Sequence, residues 1–260
     1  FGGLFLQTDF WNWHPLDSLG YEMYYYDLSL FGDPSSDFLS NFPIVIWFTG
    51  YHSTNTINEN NQEVLASYLD GGGNLFISGE NISDELEDSD FLGDYLHAIH
   101  LNDSYDGQDT LCGISGDPIG DGLDLMVNQG FGGMYQFSMS ELEPIKGGES
   151  VFDFFSTGNS AAVRFENDTY KTVFFGFGFE GINSLATRLE VMQRILDYFD
   201  ETVGEEEIVK GFQDFSGPFP NPVEDIARFS YSLHESEVLN ISLYDLTGSL
   251  IKTEDRSHPG

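Results

Sequence analysis

The chain has 260 residues, with 44 Asp and Glu against 9 Lys and Arg, a formal net charge of −35, and 40% hydrophobic and 15% aromatic residues. That much apolar side chain supports a packed core and excludes a disordered polyelectrolyte. The charge argues against nucleic acid as a partner, since phosphate backbones would be repelled, and no apolar run reaches the roughly 18 residues of a membrane-spanning helix.

The acids are spread along the whole chain, which fits a saline surrounding that screens self-repulsion, or bound cations, since carboxylates suit calcium. A single cysteine, Cys112, excludes an intrachain disulfide framework and a Cys-rich zinc site. The opening Phe1-Gly2-Gly3 reads as a mature or excised piece whose export signal has gone.

In chain order, residues 3–7 predict a short strand, Trp11–Leu19 a short helix and Tyr21–Leu30 a Tyr-rich strand. Residues 43–49 form a continuous apolar run, the pattern of a strand covered on both faces. A helix follows, with Thr56 and Glu59 at capping-box spacing, then Val64, Leu65, Tyr68 and Leu69 on one face, and Gly71–Gly73 as the stop. Residues 74–78 predict the next buried strand. Strand, helix and strand in so short a span make a βαβ unit and favour a parallel sheet.

The acidic stretch 84–90 precedes a predicted helix at Phe91–Ile99, and residues 101–150 read as loop-rich. Strands are expected at 150–155, 161–165 and 172–177, and a helix over 184–199 with Leu185, Leu189, Met192, Leu196 and Phe199 on one face. Beyond the acidic 201–207, a turn-rich entry at 216–222 leads into alternating strands at 227–233, 238–244 and 249–253.

Three segments carry a family likeness: 44–50 (Ile-Val-Ile-Trp-Phe-Thr-Gly), 68–73 (Tyr-Leu-Asp-Gly-Gly-Gly) and 74–79 (Asn-Leu-Phe-Ile-Ser-Gly). With them, residues 1–203 resemble the class I glutamine amidotransferase-like fold. Segments 116–122 and 173–180 resemble its non-catalytic variant, found attached to large secreted bacterial proteins. The resemblance implies an α/β fold with a doubly wound, mainly parallel sheet. It also implies lost catalysis: the nucleophilic cysteine's position is matched by Ser78, and Phe177-Gly-Phe-Glu180 carries no histidine. A thiol nucleophile also needs a base, and Cys112 lies away from the expected turn.

After an acidic linker at 204–215, residues 216–260 resemble sorting modules of the type IX secretion system and the related FlgD-like immunoglobulin-like fold. The match rests on Pro220-Asn-Pro222, Phe229–Leu233 and Ile241–Gly248. It implies an extracellular or outer-surface location, secretion machinery as a partner, and a small all-β module covered by the rest of a larger secreted polypeptide or by neighbouring subunits.

Three readings of function follow. The first is a non-catalytic structural or binding region of a secreted protein. The second is a serine hydrolase with Ser78 as nucleophile, His52 as base and Glu80 as the acid, at the edge where βα ligands bind. Against it, the Gly two residues before the Ser of a nucleophile elbow is missing. The third is a self-assembling surface or filament protein. Asp103, Asp106 and Asp109, then Asp117, Asp121 and Asp124, are loop carboxylates of the kind that bind calcium, although neither group has EF-hand spacing. His97 and His100, with Asp94 one turn earlier, are metal-ligand types on the expected helix.

Overall fold

The computed structural model describes residues 15–200, apart from 17, 20, 22, 51–53, 55, 105–108 and 128–135, together with the strands of a second unit. The two units are Phe1–Thr202 and Val203–Gly260. The strand expected at 3–7 and residues 204–211 of the expected linker 204–215 lie outside the described residues.

In the first unit, helical backbone at Pro15, Leu16 and Ser18, within the helix expected at Trp11–Leu19, precedes two short helices, α1 (Leu28–Phe31) and α2 (Ser36–Leu39), then β1 (Ile44–Gly50), α3 (Glu59–Asp70) and β2 (Asn74–Gly79). Irregular backbone leads to α1, capped by the Asp27 carboxylate, where a strand was expected over 21–30. The N-cap of α3 is Asn58, whose side chain accepts from the Asn61 N–H at 2.8 Å. Thr56 lies before it, and its N–H and hydroxyl both donate to the Glu85 carboxylate at 2.6 Å. The pairing of β1 with β2 is parallel and in register from Ile44–Asn74 to Phe48–Ser78.

Further along come α4 (Ile82–Glu85), α5 (Asp90–Asp94), β3 (Ala98–Ser104), β4 (Asp109–Gly113), β5 (Asp124–Val127), β6 (Met139–Pro144), β7 (Glu149–Phe154), β8 (Ser160–Glu166), β9 (Lys171–Phe175) and α6 (Leu185–Asp200). The region read as loop-rich therefore carries β4, β5 and β6 and the greater part of β3.

The doubly wound, mainly parallel expectation is corrected. The strands form one mixed, curled nine-stranded sheet with the path β1-β2-β9-β8-β7-β4-β5, while β3 pairs with β6 and β6 with β8. Among the described residues, β1–β2 and β2–β9 pair in parallel and the other pairings of this sheet are antiparallel. An apolar run marks a strand buried on both faces, and such a strand can sit in either kind of sheet.

Alternation along β2 divides the core. Leu75 and Ile77 pack with Leu65 and Leu69 of α3, whereas Phe76 packs with Val173, Phe175 and Met192 on the other face. The buried residues of α6 are Arg188, Val191, Met192, Ile195, Leu196, Tyr198 and Phe199, with Leu189 half-buried and Leu185 exposed. Met192, Leu196 and Phe199 of the expected face are buried, and the stripe widens to take in Arg188, Val191 and Ile195.

The expected helix 91–99 stops at Asp94. His97 then takes a left-handed φ of 54°, which cannot continue a right-handed helix, and β3 begins. His97 and His100 consequently do not share a helix face.

The segment Gly116–Gly122 forms a loop folded onto β7. The Asp117 carboxylate accepts from the N–H groups of Ile119 and Gly120 at 2.8 Å, and Ile114 donates to the Val151 carbonyl at 3.0 Å. A Cβ on Gly120 would lie 2.2 Å from the Val151 carbonyl oxygen, whereas one on Gly122, at φ +71°, would meet nothing within 4 Å. Gly120→Ala is therefore expected to cost about 3 kcal/mol or more through backbone overlap, and Gly122→Ala only about 1–2 kcal/mol of conformational strain. Urea-denaturation midpoints of the two variants check the order; equal losses would refute it.

In the second unit, β10 (Phe212–Phe219) pairs antiparallel with β11 (Arg228–Leu233), and β12 (Val238–Tyr244) with β13 (Leu250–Ser257). These are two separate two-stranded ribbons, which corrects the expected immunoglobulin-like module. Strand β10 occupies residues read as linker and turn. Its register shifts between Ser216 and Phe219, where Gly217 and Pro218 interrupt the ladder.

Candidate functional site

Because β1, β2 and β9 run in parallel, their carboxyl ends lie at one edge, where α/β sheets place ligands. Strand β2 delivers Ser78 and Glu80 there, and β9 leads into Gly176–Glu180. The Ser78 hydroxyl donates to the Phe177 carbonyl at 2.7 Å and accepts from the Phe179 N–H at 2.8 Å, and the residue is fully buried. It stitches the end of β2 to the chain leaving β9. Nothing is left exposed for attack on a substrate. His52, the base of the hydrolase reading, lies outside the described residues.

Glu80 is also buried, and one carboxylate oxygen accepts from the N–H groups of both Phe137 and Ser138. Burial pushes its carboxyl above the usual range; the two amides oppose this, and the Asp103 charge adds to it. The neighbouring Gln136 accepts from the Gly178 N–H at 2.6 Å. Residues 136–138 therefore lie across the carboxyl ends of β2 and β9 and bind their polar groups. Glu180, beyond them, is fully buried.

The six aspartates named from the sequence are not equivalent. Asp117 turns inward: besides its two amides it pairs with Arg164 at 2.5 Å. Asp121 is exposed and accepts from the Gly116 N–H at 2.9 Å, and Asp124 is exposed at the start of β5. Asp106 lies outside the described residues. Asp109 opens β4, and its side chain is likewise outside them. Asp103 is the exception, because it joins a cluster with His100 and Asp84.

That cluster comes from three places. Asp84 is on α4 and half-exposed; His100 and Asp103 are both on β3. One ligand-type atom from each lies within 4.8 Å of the others. His100 and Asp103 are three apart, which in a regular strand would direct them to opposite faces. The register of β3 against β6 runs His100–Leu142, Asn102–Glu141 and Asp103–Ser140, so Leu101 is the extra residue of a β-bulge. The bulge makes the spacing equivalent to two, and both side chains reach one face. Sequence spacing hides this, and Asp84 lies sixteen residues before His100 on a separate element.

His97 is elsewhere and has another role. Its ring stacks on Phe165 with centroids 3.4 Å apart; Nδ1 lies 3.2 Å from the Lys146 carbonyl and Nε2 3.2 Å from the Tyr170 hydroxyl. Cys112 is a half-buried residue of β4. Two shallow cavities, of about 440 and 130 Å³, lie away from Ser78 and Glu80, the smaller lined in part by Ala98 and Lys146 beside His97. The larger is lined around Pro43, Tyr68 and Gly73, at the opposite ends of β1 and β2.

No family model and no curated protein matches the chain. Among solved structures it is similar to a cytoplasmic protein of Salmonella typhimurium, at 14% identity and TM-score 0.56, over 72% of this chain and 85% of that one. A second cytoplasmic protein, from Salmonella typhimurium LT2, shows 11% identity and TM-score 0.54 over 75% and 85% of the two chains. A protein of Thermoplasma acidophilum, provisionally described as part of a GMP synthase, shows 12% identity and TM-score 0.52 over 77% and 90%. At these identities the likeness is one of fold alone.

Proposed function

We propose that this chain is a non-catalytic structural and binding region of a secreted or cell-surface bacterial protein, with its C-terminal unit serving in sorting or surface attachment. The observation that carries the reading is the filled carboxyl edge. Residues 136–138 occupy the ends of β2 and β9, Glu80 is bound by two backbone amides, and Ser78 has its hydroxyl buried between two backbone groups. A nucleophile needs an approach path and a base within hydrogen-bond reach, and Ser78 has neither among the described residues. The charge of −35 suits a surface exposed to a saline medium. The sorting role rests on Pro220–Pro222 and Ile241–Gly248.

The test takes the full chain behind an export signal in a bacterium with a type IX system, beside a form lacking residues 203–260. The full chain should reach the outer surface or the medium, and the shortened one should stay in the periplasm. The full chain should also resist labelling by a fluorophosphonate. Labelling that Ser78→Ala abolishes would establish the hydrolase instead, and equal export of both forms would remove the sorting role.

A further inference from the structure

We propose that Asp84, His100 and Asp103 form a binding site for a first-row divalent transition-metal ion, with Zn²⁺ the best match. The argument starts from His100, whose side chain is 9% exposed. Its Nδ1 lies 2.9 Å from the Ser83 hydroxyl. Its Nε2 faces the Asp84 carboxylate at 3.9 Å, beyond hydrogen-bond reach, and has no hydrogen-bond partner among the described residues. A ring nitrogen on a largely buried side chain that faces a carboxylate beyond hydrogen-bond reach, with Asp103 in the same cluster, has the spacing of ligands around one ion. A cation between them satisfies all three groups.

The surroundings match those of metal ligands. A ligating imidazole has its other nitrogen held by a hydrogen bond, which selects the metal-facing nitrogen and orients the ring; Ser83 does this for His100. Ligating carboxylates are hydrogen-bonded in turn, and the Ser140 hydroxyl donates to Asp103 at 3.2 Å across the β3–β6 pairing. Zinc holds such ligands at about 2.0–2.2 Å, so two of them sit up to roughly 4.4 Å apart. The 3.9 Å gap falls within that span. Asp84 is half-exposed and can swing inward to complete the set.

The donor set also selects among ions. Imidazole suits Zn²⁺ and its neighbours, whereas calcium takes oxygen ligands, six to eight of them. Three protein ligands leave a position for water or for a group from a partner. The acidic surface attracts cations without specificity, so the experiment must separate site from atmosphere.

The full-length protein, stripped of metal, would be titrated with Co²⁺ in enough salt to screen the surface. Visible absorption should saturate at one equivalent, fall on adding one equivalent of Zn²⁺, and persist in excess Ca²⁺. Asp84→Asn changes a half-exposed side chain and should leave the fold intact, as melting would verify. Loss of even an outer partner of a ligand weakens affinity about 10–100-fold, so Asp84→Asn and His100→Gln should each weaken Co²⁺ at least that much. Absorption that never saturates, displacement by Ca²⁺ as readily as by Zn²⁺, or affinity unchanged in Asp84→Asn would overturn the site.

Discussion

Arg188→Met is expected to destabilise the first unit by about 3–5 kcal/mol, while Arg188→Met combined with Glu180→Leu costs far less. Both residues are fully buried. Arg188 projects inward from the first turn of α6, and its guanidinium donates to the Ile182 carbonyl. Burial pulls the guanidinium down to about 10, and the Glu180 carboxylate acts in the opposite direction. Glu180 belongs to the 3₁₀ turn Phe179–Gly181, which follows the Ser78 crosslink. The attraction between the two charges therefore acts between the chain leaving β9 and the start of α6. Removing one member leaves a charge in the core without compensation, whereas removing both leaves an apolar site. A double-mutant cycle by urea denaturation measures the coupling. Losses that simply add would show that the two charges do not depend on each other.

The second large effect concerns pH and His97. Burial, aided by the Lys146 charge, lowers this imidazole from 6.5 to about 4. The neutral ring fits its neighbours with Nδ1–H donating to the Lys146 carbonyl and Nε2 accepting from Tyr170. A folded-state value below the unfolded one means that the unfolded chain binds the proton first. The associated stability is complete above pH 6.5 and is lost as pH falls toward 4, by about 3 kcal/mol in all. His97→Asn tolerates the left-handed φ of 54° and removes the titrating ring. The variant should be less stable than the parent at pH 7, and the gap should shrink by about 3 kcal/mol at pH 4. Taking the difference cancels the titration of the many carboxylates. Stability curves that stay parallel from pH 7 to 4 would rule out His97 as the acid-sensitive group.

Part of this molecule was legible from local pattern alone. The helix at 59–70 and the strands at 44–50 and 74–79 follow from apolar periodicity and the glycines at 71–73. The elements at 149–154, 160–166, 171–175 and 185–200 follow likewise, within a residue or two of the expected bounds. The position of Ser78 at a strand end was also readable, but its environment was not: Phe177 and Phe179, which take up its hydroxyl, lie about a hundred residues away.

Strand direction was the larger omission. Periodicity records which faces of a strand are buried and says nothing about which way its neighbours run. The parallel β1–β2 pair follows from its connecting helix, but the antiparallel pairings of β3 to β8 depend on long-range register. The strand β3 itself was hidden by its polar run Asn102-Asp103-Ser104 and by the left-handed turn at His97, which ended a helix whose pattern promised to continue.

What the sequence by itself determined is therefore the set of locally periodic elements and the acidic charge. What only the tertiary structure decided is how distant elements meet. It laid residues 136–138 over the carboxyl edge of β2 and β9, and it buried Glu180 beside Arg188. Through one extra residue at Leu101 it also turned His100 and Asp103 to the same side as Asp84. The physical reason is that hydrogen bonds and charges act across space while periodicity acts along the chain, and a single bulge exchanges the faces of every side chain beyond it.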